Sequence, residues 1–419
     1  MNDTNIKKNV LIFGVGHAVI FLGLMAILAH YFYPGTGSLE NWIAQKIFHG
    51  EIPYHDFISE YPPLALMGFL LPGLFFHTTT AYSWAFAAEL LMFDLLVLYL
   101  LADLAVFFKV SIKNTLAVYT LVILAIGPIL VCRYDIMPAA LTLLALWAFI
   151  KGKNKLAWGA TALGFLAKLY PVIILPLFLL YQWKNRQYGR MFQGIAVFVI
   201  VVLIFCLPWL IIDAPGFTKS FTYHLDRPLH AESTYGSALM VGQVFGMDKI
   251  PADLTYGSWN LLSSLADKLA KIAFYVTAFF SIIIYWLFVT RTRYDEVNDS
   301  SKPLNTSSAS ILAQCVILLT FVFLLLNKVF SAQYLAWLCP LLPLFFYGKR
   351  KYTVLSLFVI AAAVTQYVFP YNYVSFEQVH AVPVLLLAAR NLMLITAGIL
   401  VAFPARYQTP GISALRSDG

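Results

Sequence analysis

A succession of apolar runs, each ended by a short polar or basic interruption, constrains this chain more than any other feature. The runs fall at residues 10–33, 82–107, 116–131, 137–150, 156–166, 171–183, 192–212, 269–290, 310–326, 334–346, 354–369 and 384–403. A helix needs about 20 residues to cross the hydrocarbon of a bilayer, so the longer runs span it and the shorter ones must be tilted, broken or shielded by neighbours. Of the residues, 61% are apolar and 11% charged, against roughly 45–50% and about 25% in soluble domains. A soluble chain of this make-up would lack the charge that keeps a surface dispersed. The reading is an all-α, polytopic transmembrane helical protein with roughly twelve crossings. The first run is too long for a signal-peptide core and has no small-residue cleavage site, so it is expected to stay as an anchor.

The formal charge of +8 is concentrated in clusters between runs: Lys7 and Lys8, Lys109 and Lys113, residues 151–155, residues 184–190, Arg291 and Arg293, residues 349–351, and Arg406. Such clusters mark cytoplasmic loops and are not a nucleic-acid surface; they place both termini in the cytoplasm. Outward segments are then residues 35–61, the turns at Arg133 and Lys168, residues 213–268, the turn at Lys328, and residues 371–382. The chain divides into a membrane module over 1–212 containing the first outward loop at 34–61, a large outward loop at 213–268, and a second membrane module over 269–419. One apolar stretch, residues 62–76, is short and opens on Pro62 and Pro63; counting it as a crossing would invert every later cluster. It is read as a re-entrant or surface helix, and irregular backbone at membrane depth occurs where it is buried in protein or lines a cavity. Cys132, Cys206, Cys315 and Cys339 lie far apart without metal or CxxC spacing and read as lipid-facing or core thiols.

Ionisable groups on the outward side have no orientation role and mark candidate chemistry. Glu40, Glu51, Asp56 and Glu60 stand in the first loop; Asp56 and Glu60 share a side whether the stretch is helical or extended, with Tyr54 and Tyr61 beside them. Arg133-Tyr134-Asp135, Lys168-Leu169-Tyr170 and Lys328 with Gln333 and Tyr334 occupy three separate outward turns. Their cations suit an anionic headgroup, arginine forking onto phosphate oxygens and lysine serving as a point charge. The large loop adds His224, Arg227 and Glu232, a donor and acceptor mixture suited to sugar or headgroup. The plain alternatives are solvated loop acids and lysines snorkelling to lipid phosphates. Asp94 and Asp103 inside helices fit pairing with backbone or neighbouring helices better than ion conduction. No His or Cys cluster, phosphate-binding glycine loop or nucleophile elbow is present.

Four stretches, in order, resemble the membrane-embedded GT-C glycosyltransferases, and among them glycosyltransferase family 87: Gly50-Glu51-Ile52-Pro53-Tyr54-His55-Asp56-Phe57 with Glu60-Tyr61-Pro62-Pro63-Leu64; Arg133-Tyr134-Asp135-Ile136-Met137-Pro138; Ala167-Lys168-Leu169-Tyr170-Pro171; and residues 328–338. The resemblance implies an inverting transferase of the bacterial or archaeal plasma membrane. Its donor would be a polyprenyl-phosphate sugar, mannose by family habit, and its acceptor a glycolipid or glycan hydroxyl on the outer face. It further implies a carboxylate base in the first outward loop. The aspartate that relatives carry soon after the first crossing is replaced near Thr36, so the base is spread over Glu40, Asp56 and Glu60. Arg133, Lys168 and Lys328 would meet the donor phosphate. Tyr54, Tyr61, Asp135, Tyr170, His224, Arg227, Glu232, Gln333 and Tyr334 would bind substrate. A second carboxylate could steady the sugar carbon or hold a divalent cation, although no DxD favours the metal. The rivals are a transporter or flippase of lipid-linked sugars, which tends to show repeated halves, and a polymerase or ligase of surface polysaccharide.

Overall fold

The computed structural model describes residues 3–31, 39–292, 302–345 and 350–403. Thr36, Arg293, Lys349, Arg406 and residues 295–301 of the polar linker at 295–308 lie outside them. The N-terminal half holds α1 (Asp3–Tyr31), α2 (Leu39–Phe48), α3 (Pro63–Gly73), α4 (Thr79–Phe107), α5 (Ile112–Ile126), α6 (Ile129–Cys132), α7 (Ile136–Ile150), α8 (Asn154–Ala167) and α9 (Leu175–Lys184). After α10 (Tyr188–Asp226) come β1 (Leu229–His230), α11 (Thr234–Val244), β2 (Ala252–Thr255) and β3 (Ser258–Leu261). The chain continues through α12 (Ser264–Arg291), α13 (Thr306–Leu326), α14 (Arg350–Gln366), α15 (Tyr373–Glu377) and α16 (Ala381–Ala402).

Among the described residues, seven helices are long and apolar enough to cross a membrane: α1, α4, α10, α12, α13, α14 with its extension to Tyr371, and α16. The remaining runs form α5, α7, α8, the 170–184 pair and the 332–344 segment, all shorter than a crossing needs. These pieces are packed inside protein: α7 buries every residue except Leu144, and the 3₁₀ turns at Ala332–Trp337 and Leu342–Leu344 sit almost wholly in the core. Irregular backbone is tolerated at such depth because neighbouring protein replaces lipid around it. The most hydropathic stretch of α13 is 78% buried, whereas that of α10 is 6% buried and turned outward. The 62–76 stretch yields α3, too short to cross, packed on α2, α4 and α8.

Local signals set the helix ends. Thr78, Ser111, Ser233, Ser263 and Asn305 cap α4, α5, α11, α12 and α13, each side chain accepting a first-turn amide hydrogen. Gly127, at φ 64°, ends α5, and a Cβ there would meet the Gln366 side chain at 2.1 Å. Inside the bundle, His17 on α1 contacts Asp94 on α4 through Nδ1 (2.6 Å) and Thr120 on α5 through Nε2 (2.8 Å), while Tyr119 donates to the other Asp94 oxygen at 2.6 Å. Thr120 gives its own proton to Leu116 O, leaving its oxygen to accept from the imidazole. This clasp removes an otherwise prohibitive polar set from the interior.

The basic residues of 151–155, 184–190 and the end of α12 gather at one end. Lys151 pairs with Asp103 at 2.8 Å, Lys184 donates to Val289 O at 2.6 Å, and Arg190 to Gly152 O at 2.6 Å. Helices α7 and α9 run towards that end, and α8, α10 and α13 run back from it, so Asp135, Lys168, Arg227 and Asn327 meet at the other end.

That other end carries a cap the all-α expectation did not contain. Strands β1, β3 and β2 form an antiparallel sheet in that order, too short for an alternating pattern to stand out. With α11 they enclose a second small core, where Leu229, Met240 and Leu261 pack with Val368, Phe376 and Leu387. The first outward loop is neither helical nor extended across Asp56. Tyr54 takes φ 68°, Pro53 bridges to Phe57, and Ile52 N donates to Asp56 Oδ2 at 2.7 Å. The loop docks on α10 where that helix breaks at Asp213 (φ −155°, ψ 88°). His55 Nδ1 lies 3.0 Å from Asp213 Oδ2, and a Cβ on Gly216 would fall 1.9 Å from Tyr54 O.

Candidate active site

A cavity of about 220 Å³ opens between the first loop, the turns at 133–135 and 168–170, the end of α10, and residues 327–337. Each wall comes from a different interruption of the apolar pattern. Helix α2 brings Glu40 in its first turn; the chain before α3 brings Glu60, Tyr61 and Pro62; the break between α6 and α7 brings Arg133, Tyr134 and Asp135. The end of α8 adds Lys168 and Tyr170, the end of α10 adds His224 and Arg227, and the 3₁₀ segment adds Gln333, Tyr334 and Trp337.

Two ion pairs set the floor. Glu40 is fully buried, with Oε1 3.4 Å from Arg133 Nη1. Asp135, 1% exposed, takes Lys168 Nζ at 2.5 Å and Trp337 Nε1 at 2.7 Å on the same oxygen. Glu40 Oε2 and Asp135 Oδ2 have no hydrogen-bond partner among the described residues. The Lys168 ammonium sits over the faces of Tyr134 (4.6 Å) and Tyr334 (4.8 Å). Tyr170, Trp337 and Tyr334 form a continuous stack, with centroids 4.0 and 4.2 Å apart, in which Trp337 is held between the two tyrosine rings and Tyr334 is the less buried end.

Glu60 is half-buried. His224 Nε2 lies 3.2 Å from its backbone carbonyl and holds the residue in place. Burial pushes its carboxyl above the ordinary carboxylate range, Arg227 and Lys168 pull against that, and Glu40 adds to it. A carboxylate raised this way and open to a cavity is suited to accepting a proton.

Several expected residues lie elsewhere. Asp56 is exposed and bound to Ile52 N, outside the cavity lining. Tyr54 is buried between Trp209 and Phe217, its hydroxyl donating to Tyr61 O at 2.6 Å, so it braces the loop from behind. Lys328 directs its ammonium to Leu225 O at 2.6 Å, and burial together with nearby Arg227 lowers its pKa. Glu232 is buried within the cap, 3.5 Å from His230. Residues not singled out from the sequence also line the cavity, Trp337 and Tyr134 foremost and Tyr256 beside Gly257 from the strand connection. Both Trp337 and Tyr134 lie within the motifs quoted above.

A divalent cation does not fit this arrangement. Asp135 and Glu40 are each engaged by a protein cation, and no group of three metal-ligating side chains converges among the described residues.

Membrane-length helices enclosing a charged, aromatic-walled cavity at one end define an integral membrane enzyme architecture. The family model of glycosyltransferase family 87 matches residues 57–321; the chain belongs to that family and is a glycosyltransferase. No curated protein matches it. The matched region holds Glu60, Arg133, Asp135, Lys168, His224 and Arg227, and stops short of Glu40 on one side and of Gln333, Tyr334 and Trp337 on the other.

Proposed function

We propose that the protein is an inverting glycosyltransferase that moves a sugar, mannose by family habit, from a polyprenyl-phosphate donor to a glycolipid or glycan hydroxyl on the extracytoplasmic face. The observation that carries this reading is the convergence of Glu60 with Lys168 and Arg227 in one cavity. Glu60 takes the acceptor proton as its oxygen attacks the anomeric carbon; the bond to phosphate breaks, and the lipid phosphate departs as an anion. Lys168 and Arg227 meet the charge where it develops, with Arg133 beside them, in a poorly hydrated site that strengthens each contact. Such a leaving group needs no protonation. Glu40 holds Arg133 in place, and the ring stack stiffens the wall beside Lys168. Arg227, which lines the cavity, fills the role expected of Lys328, whose ammonium is bound to Leu225 O.

The basic clusters at the far end support an outward cavity and cytoplasmic termini. A lipid-linked donor suits that side, because nucleotide sugars are cytoplasmic. The two membrane modules then bracket residues 213–268, which supply the roof. The test is transfer of radiolabel from polyprenyl-phosphate mannose in membranes bearing wild type, Glu60→Gln or Asp56→Asn protein. Transfer by wild type and Asp56→Asn, and none by Glu60→Gln, is expected. Equal transfer by Glu60→Gln would remove the base; donor crossing the bilayer without transfer would make the protein a flippase.

A further inference from the structure

Behind the cavity roof, a second set of charged groups lies fully inside the protein. Arg390, on α16, is 0% exposed. Its Nη2 donates to Glu232 O at 3.1 Å, and its guanidinium lies 4.1 Å from the Phe330 ring centroid. Next to it, Asn391 Nδ2 donates to Glu232 O at 3.3 Å and to Ser237 Oγ at 2.8 Å. These two residues therefore grip two segments at once, 230–237 and 328–331. The segments are also tied to each other, His230 N donating to Lys328 O at 3.0 Å. The first follows Arg227 directly, and the second leads into Ser331, Gln333 and Tyr334 of the cavity wall.

We propose that Arg390 is a positioning residue for the donor-phosphate end of the site: it fixes the register between the 227–237 and 328–331 segments, so that Arg227 faces the same space as Lys168. The proposal rests on the transferase reading above. An arginine is costly to bury and is retained where its geometry is used. A leucine would fill the volume without holding a carbonyl and a ring together. The carboxylate of Glu232, close enough to Arg390 and Arg227 to be influenced by both, answers the buried charge. Burial lifts Glu232 to about 7, so this counter-charge is full above neutrality and weakens below it. The groups facing it are Arg390 on α16, Arg227 before β1, His230 on β1, and Tyr373, whose hydroxyl donates to it, on α15.

Two measurements on the full-length protein in detergent or nanodiscs test this. In the first, Arg390→Met lowers kcat/KM for the polyprenyl-phosphate donor about tenfold or more while the acceptor KM stays near wild type, and Arg390→Lys recovers part of the loss. Arg390→Met with wild-type donor kcat/KM would overturn the proposal, as would an equal rise in both KM values with a lowered unfolding temperature. In the second, Arg227→Cys is labelled by a charged methanethiosulfonate with and without Arg390→Met. A changed labelling rate supports the positioning role and an unchanged rate overturns it, whichever sugar donor the enzyme uses. Wild type that transfers nothing from the donor overturns the transferase reading alone, and the labelling still decides the role of Arg390.

Discussion

Lys168→Met separates the observed pairing of Lys168 with Asp135 from its proposed role at the leaving phosphate. In the resting site Lys168 neutralises Asp135, whose side chain is 2% exposed, at 2.5 Å. Removing the cation leaves a buried carboxylate with the Trp337 N–H as its remaining donor, and breaking such a pair costs about 3–5 kcal/mol. The lysine side chain retains 16% exposure and the cavity is open to water, which puts the loss near the lower end, about 3 kcal/mol. On the proposed mechanism the same ammonium faces the departing phosphate, and loss of one such stabilising contact lowers kcat by roughly 10²–10³-fold. Lys168→Met alone should therefore be both less stable and nearly inactive. Adding Asp135→Asn removes the stranded charge: stability should return to within about 1 kcal/mol of wild type, while turnover stays low. Thermal unfolding of the purified protein and transfer assays on the same samples read the two effects apart. A double variant that regains both stability and turnover would show that Lys168 serves Asp135 alone and would refute its role at the phosphate.

Three further outcomes follow from the geometry. Glu60 must be ionised to act as base, so kcat/KM rises with pH along a limb above the usual carboxylate range. Arg227→Gln, removing a cation that lowers the Glu60 pKa, should move that limb to higher pH, and a limb that stays put would separate the two residues. Asp94→Leu leaves His17 and Tyr119 without their buried acceptor and should destabilise by about 3–5 kcal/mol; wild-type unfolding would refute the clasp. Gly216→Ala places a Cβ against Tyr54 O and should cost about 1–3 kcal/mol and reduce turnover by displacing the first loop, whereas unchanged stability and rate would show that the contact is slack.

The cavity was legible in the sequence to the extent that charge distribution made it so. With the basic clusters assigned to one side, Arg133, Lys168, Glu60 and Arg227 had no orientation role left to explain them, and they meet. Asp56 was grouped with Glu60 because an even spacing places both on one side of a regular element; the positive φ at Tyr54 and the bridge from Pro53 to Phe57 break that regularity. Lys328 was grouped with the other turn cations, but a backbone carbonyl of the neighbouring loop takes its ammonium. Trp337 and Arg390 sit within apolar runs, where hydropathy alone reports core. Arg390 did carry a signal, since a lone cation inside a spanning run is expensive. Five of the membrane-length helices match runs of 20 residues or more, whereas two runs of equal length, 116–131 and 354–369, became a short interior helix and a membrane-length one, because depth depends on packing that no single run encodes.

The ring stack bears on the order in which the enzyme is made. Tyr170 belongs to the first half of the chain, but its partners Trp337 and Tyr334 are synthesised more than 160 residues later, and Arg390 follows them. A nascent chain extending through residue 321 already carries Glu60, Lys168 and Arg227, yet it lacks Tyr334 and Trp337 of the cavity wall and the Arg390 contacts to residues 230–237 and 328–331. The cavity is therefore complete only once the last third of the chain has been made, and until then its charged residues lack the cover that the finished fold gives them.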